Sequence, residues 1–287
     1  MRKLYNFFKG KYMSGLKSIF LLSTFCFMEE IGWGQSYQSF DASVAANVWT
    51  SSLWSAPSST NACVVGGANM HTTGSIVYLC TPAGMGTGAV GISIKGIIAT
   101  EDYTHILPSG TLSTGGSVVA IDVAAGKTVD LGNMAISTAT GTGFNKVNTG
   151  TLISATTGAY SGGFTLSAGT IIIKSLNAMG GNLGALNING GVLAASGLQT
   201  ITGRYSGINI GGDFTLGNAA YIGNISFEDP VSLGIGSNRT ITLASTDTYT
   251  FSGVISGTGS GLTLAATEAG TLTLSGTNTY NGATTIN

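Results

Sequence analysis

The chain has 287 residues, including 45 Gly, 38 Thr and 31 Ser, but only 11 basic and 12 acidic side chains. So much Gly, Ser and Thr beside so little charge excludes an ordinary helical protein, whose helix faces need long charged side chains. A 43 % hydrophobic content with a net charge of −1 likewise excludes a solvated, disordered chain.

Four prolines and no G-X-Y period exclude collagen. What remains is an extended, β-rich polypeptide of secreted type. The N-terminus agrees. Arg2, Lys3, Lys9, Lys11 and Lys17 precede a ten-residue, mostly apolar run from Ile19 to Met28, and the small residues Gly32 and Gly34 follow. A basic region, a short apolar core and small residues at −3 and −1 predict a cleavable signal peptide over 1–34. Glu29 and Glu30 end the run too early for a membrane span of ~20 residues. Removing 1–34 leaves six basic and ten acidic side chains, a net charge of −4. Six scattered cations do not neutralise a phosphate track, so nucleic acid is not an expected partner.

Residues 35–110 form a stretch of their own, a cap or a small β module. It holds Trp49, Trp54, Cys63, Cys80, His71 and His105. In an exported chain Cys63 and Cys80 are a candidate disulfide, the alternative being two buried thiols. Two Cys and one His at this spacing lack a fourth zinc ligand, and no metal or cofactor is expected. Trp49 and Trp54 read either as core packing of the cap or as sugar-stacking residues of a carbohydrate-binding module. Gly86-Thr-Gly88-Ala-Val-Gly91 has the G-x-G-x-x-G spacing. A dinucleotide site needs a helix next, and Ile92-Ser-Ile94 reads as strand. Glu101–His105 is the densest polar cluster and reads as a turn before Pro108.

From 111 to 287 the chain alternates apolar and small polar residues in short runs separated by Gly, Asn and Ser. Examples are Val119–Val123, Leu186–Ile188, Ile208–Ile210, Phe214–Leu216, Ile241–Leu243 and Leu272–Leu274. Period two predicts strands with one apolar face, and the small residues predict tight turns. Gly126-Lys127-Thr128 lacks the first glycine of a phosphate loop and reads as a β-turn. Residues 150–166 and 270–286 align without a gap at an offset of 120, sharing Gly150/Gly270, Tyr160/Tyr280 and Gly162/Gly282. Short strands that cannot each bury a face stack into a solenoid. The expected fold is all-β, a right-handed parallel β-helix with coils of roughly 20–24 residues and a length of about 50 Å.

The stretch from Phe251 to Leu262 and the continuation Gly270–Asn287 closely resemble the autotransporter-associated β-strand repeat. The second half of the motif recurs from Tyr160 to Ile173, and its tail at Leu186–Leu193. The clear copies lie at about 150–193 and 251–287. The resemblance implies the passenger region of a bacterial surface or secreted protein, built by β-helix stacking, and it is nearly silent on activity. It further implies an exported, non-enzymatic stalk or adhesin whose partners are glycans or cell surfaces. Asn287 falls mid-repeat, which reads as truncation of a longer protein or as an open last coil able to self-associate.

No nucleophile elbow occurs in the chain, and no catalytic residue is expected. Because polysaccharide-cleaving enzymes also use β-helices, Asp213, Glu228, Asp229 and Asp247 are the acids on which a β-helical carbohydrate-active enzyme would depend.

Overall fold

An apolar residue at every second position gives a short segment one face to hide and two backbone edges to pair. Parallel stacking satisfies both requirements. The computed structural model describes residues 184–287 without a break and 118–183 apart from 133, 139–142, 155–161 and 180–183. N-terminal to these it describes 37–40, 54–55, 75–79, 91–99, 102–104 and 110–114. The signal segment, Trp49, Cys63, Cys80, His71, His105 and Tyr160 therefore lie outside the described residues.

Three parallel sheets form the faces of a right-handed β-solenoid, with thirteen, nine and four strands. The chain visits them in turn. Ile208–Ile210 lies in the first sheet, Phe214–Leu216 in the second and Ile225–Phe227 in the third; Val231–Ile235 then returns to the first. In earlier coils the third position is taken by Gly110–Thr114 and Met134–Thr138, then by the 3-10 turn Leu176–Met179. Every described strand pair is parallel except Tyr37–Phe40 with Trp54–Ser55. The first sheet continues through Ser75–Leu79 and Gly91–Ala99 into Val119–Val123. The strand Gly91–Ala99 occupies the place where a dinucleotide fold would need a helix. Lys127 N–H donates to Ala124 O at 3.0 Å and Gly126 has φ +71°, which is the β-turn expected there.

Alternation puts like residues in columns. Phe144, Phe164, Leu186, Ile208, Val231 and Ile255 stack inward from the first sheet, all buried. Val129, Leu152, Ile171, Leu193, Leu216 and Leu243 do the same from the second. Phe227 and Phe251 in the third stack with ring centroids 4.3 Å apart and planes 10° from parallel. Burying such side chains supplies about 1.5–3 kcal/mol each, which is where a chain with so few charged side chains finds its stability. From Ser75 onward the register advances between 19 and 27 residues per coil, a wider range than the sequence suggests, because the connections between strands differ in length. Nine strands at ~4.8 Å spacing make the second sheet about 40 Å long.

The 120-residue repeat does not return to the same face. Thr151–Ile153 lies in the nine-stranded sheet, whereas its counterpart Thr271–Leu274 lies in the four-stranded one. Phe164–Leu166 and Thr284–Ile286 are displaced in the same way, from the thirteen-stranded to the nine-stranded sheet. Five coils carry Thr151 to the level of Ala265, and the repeat then runs one face further. What the two copies share is the corner, where a glycine packs against the main chain of the preceding coil. Gly150 shows the corner requirement: a Cβ there would run into the main-chain carbonyls of Ala124 and Val123, one coil back. Gly270 meets the carbonyls of Ser245 and Asp247 in the same manner.

Candidate functional surface

The outward positions of the first sheet carry Asn145, Thr165, Asn187, Asn209, Ser232 and Ser256 in one column. Their spacing is set by the backbone ladder, so neighbouring side chains meet. Asn209 Nδ2 donates to Asn187 Oδ1 at 2.9 Å, and Asn187 Nδ2 donates to Thr165 Oγ1 at 3.3 Å. Ser167 Oγ donates to Asn145 Oδ1 at 2.7 Å. A charged residue repeated at this interval would repel its copies; amides and hydroxyls donate and accept in sequence. The second sheet presents Thr151, Thr170, Thr215 and Thr242 outward, with Val192 between, and the third presents Thr200, Ser226, Thr250 and Thr273. These outward columns are thus built, apart from Val192, of uncharged amides and hydroxyls at regular spacing.

The acids are used differently from this surface. Asp213 Oδ1 accepts the N–H of Thr240, one coil on, at 2.7 Å, and Asp102 Oδ1 accepts that of Thr128 at 2.7 Å. Asp229 is buried; its carboxylate accepts the backbone N–H groups of Gly203, Arg204 and Tyr205, the latter two at 3.2 Å. Asp247, also buried, accepts from Ser245 Oγ at 2.8 Å and from Gly223 N at 3.2 Å. Ser245 Oγ lies 2.7 Å from Tyr249 Oη. Gly217, at φ +90°, passes so close that a Cβ would strike both hydroxyls. Burial pushes the Tyr249 hydroxyl up to about 12, the Ser245 hydrogen bond opposing and the Asp247 charge reinforcing the shift. Tyr205, whose hydroxyl donates to Met179 O at 2.6 Å, is also pushed well above the ordinary range by burial.

These acids therefore hold corners together. Asp213 sits between first- and second-sheet strands, exposed Glu228 between third- and first-sheet strands, so the two occupy different corners. No group of three His, Cys, Asp or Glu among the described residues is placed to hold a metal ion. Asp213→Ala should cost about 1 kcal/mol in urea unfolding, as expected for an exposed carboxylate receiving one strand-end N–H that water can replace. A loss above about 2 kcal/mol would give Asp213 a second role.

One charged side chain is placed where alternation gives no warning. Lys146 stands in the inward column between Ile121 and Leu166 and is fully buried. Its Nζ donates to Val147 O at 2.7 Å and Asn148 O at 2.8 Å. Asn148 takes φ +62°, and its Nδ2 donates to Asp122 Oδ1 at 3.0 Å. Burial lowers the Lys146 ammonium to about 8, partly countered by the Asp122 charge. A second lysine, Lys174, pairs with Asp130 at 2.7 Å on the outer side, both partly exposed.

With the fold and its surface in view, comparison with known proteins gives one curated relative. The chain is similar to an autotransporter adhesin. That protein, described as "Adhesin BmaC autotransporter" of Brucella suis biovar 1 (strain 1330), is 28 % identical over 243 residues, which cover 79 % of this chain. The aligned stretch is only 6 % of the relative's length, so the chain spans a small part of it. The similarity relates this β-solenoid to passenger-type autotransporter domains. No family model matches the chain, and no solved structure matches it. No helix among the described residues is long and apolar enough to cross a membrane.

Of the repeat residues read from sequence, Gly150, Gly270 and Gly282 sit at close backbone approaches to the preceding coil. Gly162 is buried just before Phe164–Leu166. Tyr280 packs against the last layer of the core, its hydroxyl 2.6 Å from Thr284 Oγ1.

Proposed function

We propose that the chain is a non-enzymatic, exported structural and adhesin-like region of a bacterial surface protein. It is a β-helical stalk on the extracellular side of a Gram-negative-type cell, and its work is to hold a Thr, Ser and Asn surface at fixed spacing. The observation that carries this reading is the outward column from Asn145 through Asn187 and Asn209 to Ser256, hydrogen-bonded along part of its length. Acids that a polysaccharide-cleaving site would need, Asp213, Asp229 and Asp247, instead accept backbone N–H groups of other coils. The curated relative is an adhesin by its own description, which agrees. Amides and hydroxyls at regular spacing suit glycan hydroxyls, and many weak contacts sum when several repeat units engage together.

The chain coupled to beads and offered a panel of host and bacterial polysaccharides is expected to retain at least one of them. Retention should rise steeply with coupling density, and the polysaccharide should be recovered uncut. Release of shorter saccharides would overturn the non-enzymatic part of the proposal. Absence of retention across the panel at high density would overturn the adhesin part.

A further inference from the structure

We propose that Asn224 and Asn238 are acceptors for N-linked glycosylation. Each begins an Asn-x-Ser/Thr tripeptide, Asn224-Ile-Ser226 and Asn238-Arg-Thr240, the sequence that asparagine glycosyltransferases read. Both asparagines are exposed at corners of the solenoid. Their carbonyls are already committed: Asn224 Oδ1 accepts Thr248 N–H at 2.9 Å, and Asn238 Oδ1 accepts Gly261 N–H at 3.0 Å. These bonds orient each side chain with its carbonyl toward the following coil, and neither Nδ2 makes a hydrogen bond among the described residues.

That division of labour is what the modification requires. In the transfer, Asn Nδ2 forms a bond to the anomeric carbon of a sugar held on a phosphate leaving group. The carbon–oxygen bond to phosphate breaks, phosphate takes the electron pair, and one Nδ2 proton passes to a base of the transferase. The product is still an amide with its carbonyl intact. Both inter-coil hydrogen bonds therefore survive, and the sugar projects from a corner without disturbing a strand. Asn278 and Asn281 supply a control within the same molecule. Each also accepts a backbone N–H from a neighbouring coil, of Ile255 and Gly259 respectively. Their second following residues are Tyr280 and Ala283, so neither heads the tripeptide. The inference rests on these corners alone and holds whether or not the surface binds glycans.

The test is peptide mass mapping of the chain isolated from the organism that makes it. A mass increment on Asn224, Asn238 or both is expected, with none on Asn278 or Asn281. A single sugar would mark a nucleotide-linked donor, and an assembled oligosaccharide a lipid-linked one. Ser226→Ala and Thr240→Ala remove the tripeptide while keeping the asparagine carbonyls in place. Each should abolish the increment at its own site with the thermal unfolding midpoint of the unmodified chain unchanged. Bare peptides at both sites, an increment that persists in its hydroxyl variant, or modification of Asn278 or Asn281 in their place would overturn the proposal.

Discussion

Asp229→Ala is expected to destabilise the solenoid by about 3–5 kcal/mol, several times the effect of the same change at Asp213. The difference lies in burial and in the number of donors. One carboxylate receives three consecutive N–H groups, of Gly203, Arg204 and Tyr205, at a corner one coil earlier. Removing it leaves buried donors unsatisfied, at about 1–3 kcal/mol each before relaxation. Gly203 and Arg204 lie close enough to solvent to recover part of that through water, while the Tyr205 N–H does not. Asp229→Asn keeps an oxygen acceptor and loses the charge, so its cost should be about half. Urea unfolding gives the magnitude and amide exchange gives the place. Residues 203–205 should lose protection first in the alanine variant, ahead of the flanking strands Gln199–Ile201 and Ile208–Ile210. Equal costs for Asp229→Ala and Asp213→Ala would show that the buried corner has no special weight.

The same corner explains how far the sequence can be read unaided. Strands were legible because their signal is local: Leu186-Asn-Ile188 or Phe214-Thr-Leu216 declares which residues face inward within three positions, and both do so. The acids were not legible, because their partners lie about one coil away along a chain whose coils vary in length. Asp229 reaches 24 to 26 residues back, while Asp213 reaches 27 forward. No fixed spacing reveals that Asp213 and Asp229 brace corners, so as isolated acids they resemble candidates for chemistry. The repeat at offset 120 was legible as repetition but not as placement. Its two copies share the same glycine corners on different faces, and nothing local records which face a segment occupies. The glycan-acceptor corners occupy an intermediate position: the tripeptide is local, but the pinned carbonyl that leaves Nδ2 outward depends on the next coil.

A rod of this kind gains most of its stability from inward columns, which makes a charged rung in such a column informative. Lys146 is the case to test. Truncation to alanine removes buried methylenes worth ~0.8 kcal/mol each and strips the ammonium from Val147 O and Asn148 O. Relief of a desolvated charge offsets part of this, and a net loss of about 2–3 kcal/mol at neutral pH is expected. Lys146→Met refills the column beside Ile121 and Leu166 and should lie within about 1 kcal/mol of the native chain.

The sharper readout is pH. Folding lowers the Lys146 ammonium from 10.5 to about 8, so between those values the unfolded chain holds the proton that the folded chain has released. Stability must then rise with pH from about 8, having been at its lower plateau below that. Tyr205 and Tyr249 act oppositely at higher pH, since burial raises both and the folded chain keeps protons that the unfolded chain loses above about 10. The rise is therefore clean only between about pH 8 and 9.5. Urea midpoints measured across that window should climb for the native chain and stay level for both Lys146→Met and Lys146→Ala. A level native profile would mean that the ammonium reaches water, and a slope that survives in the methionine variant would assign the proton to another group.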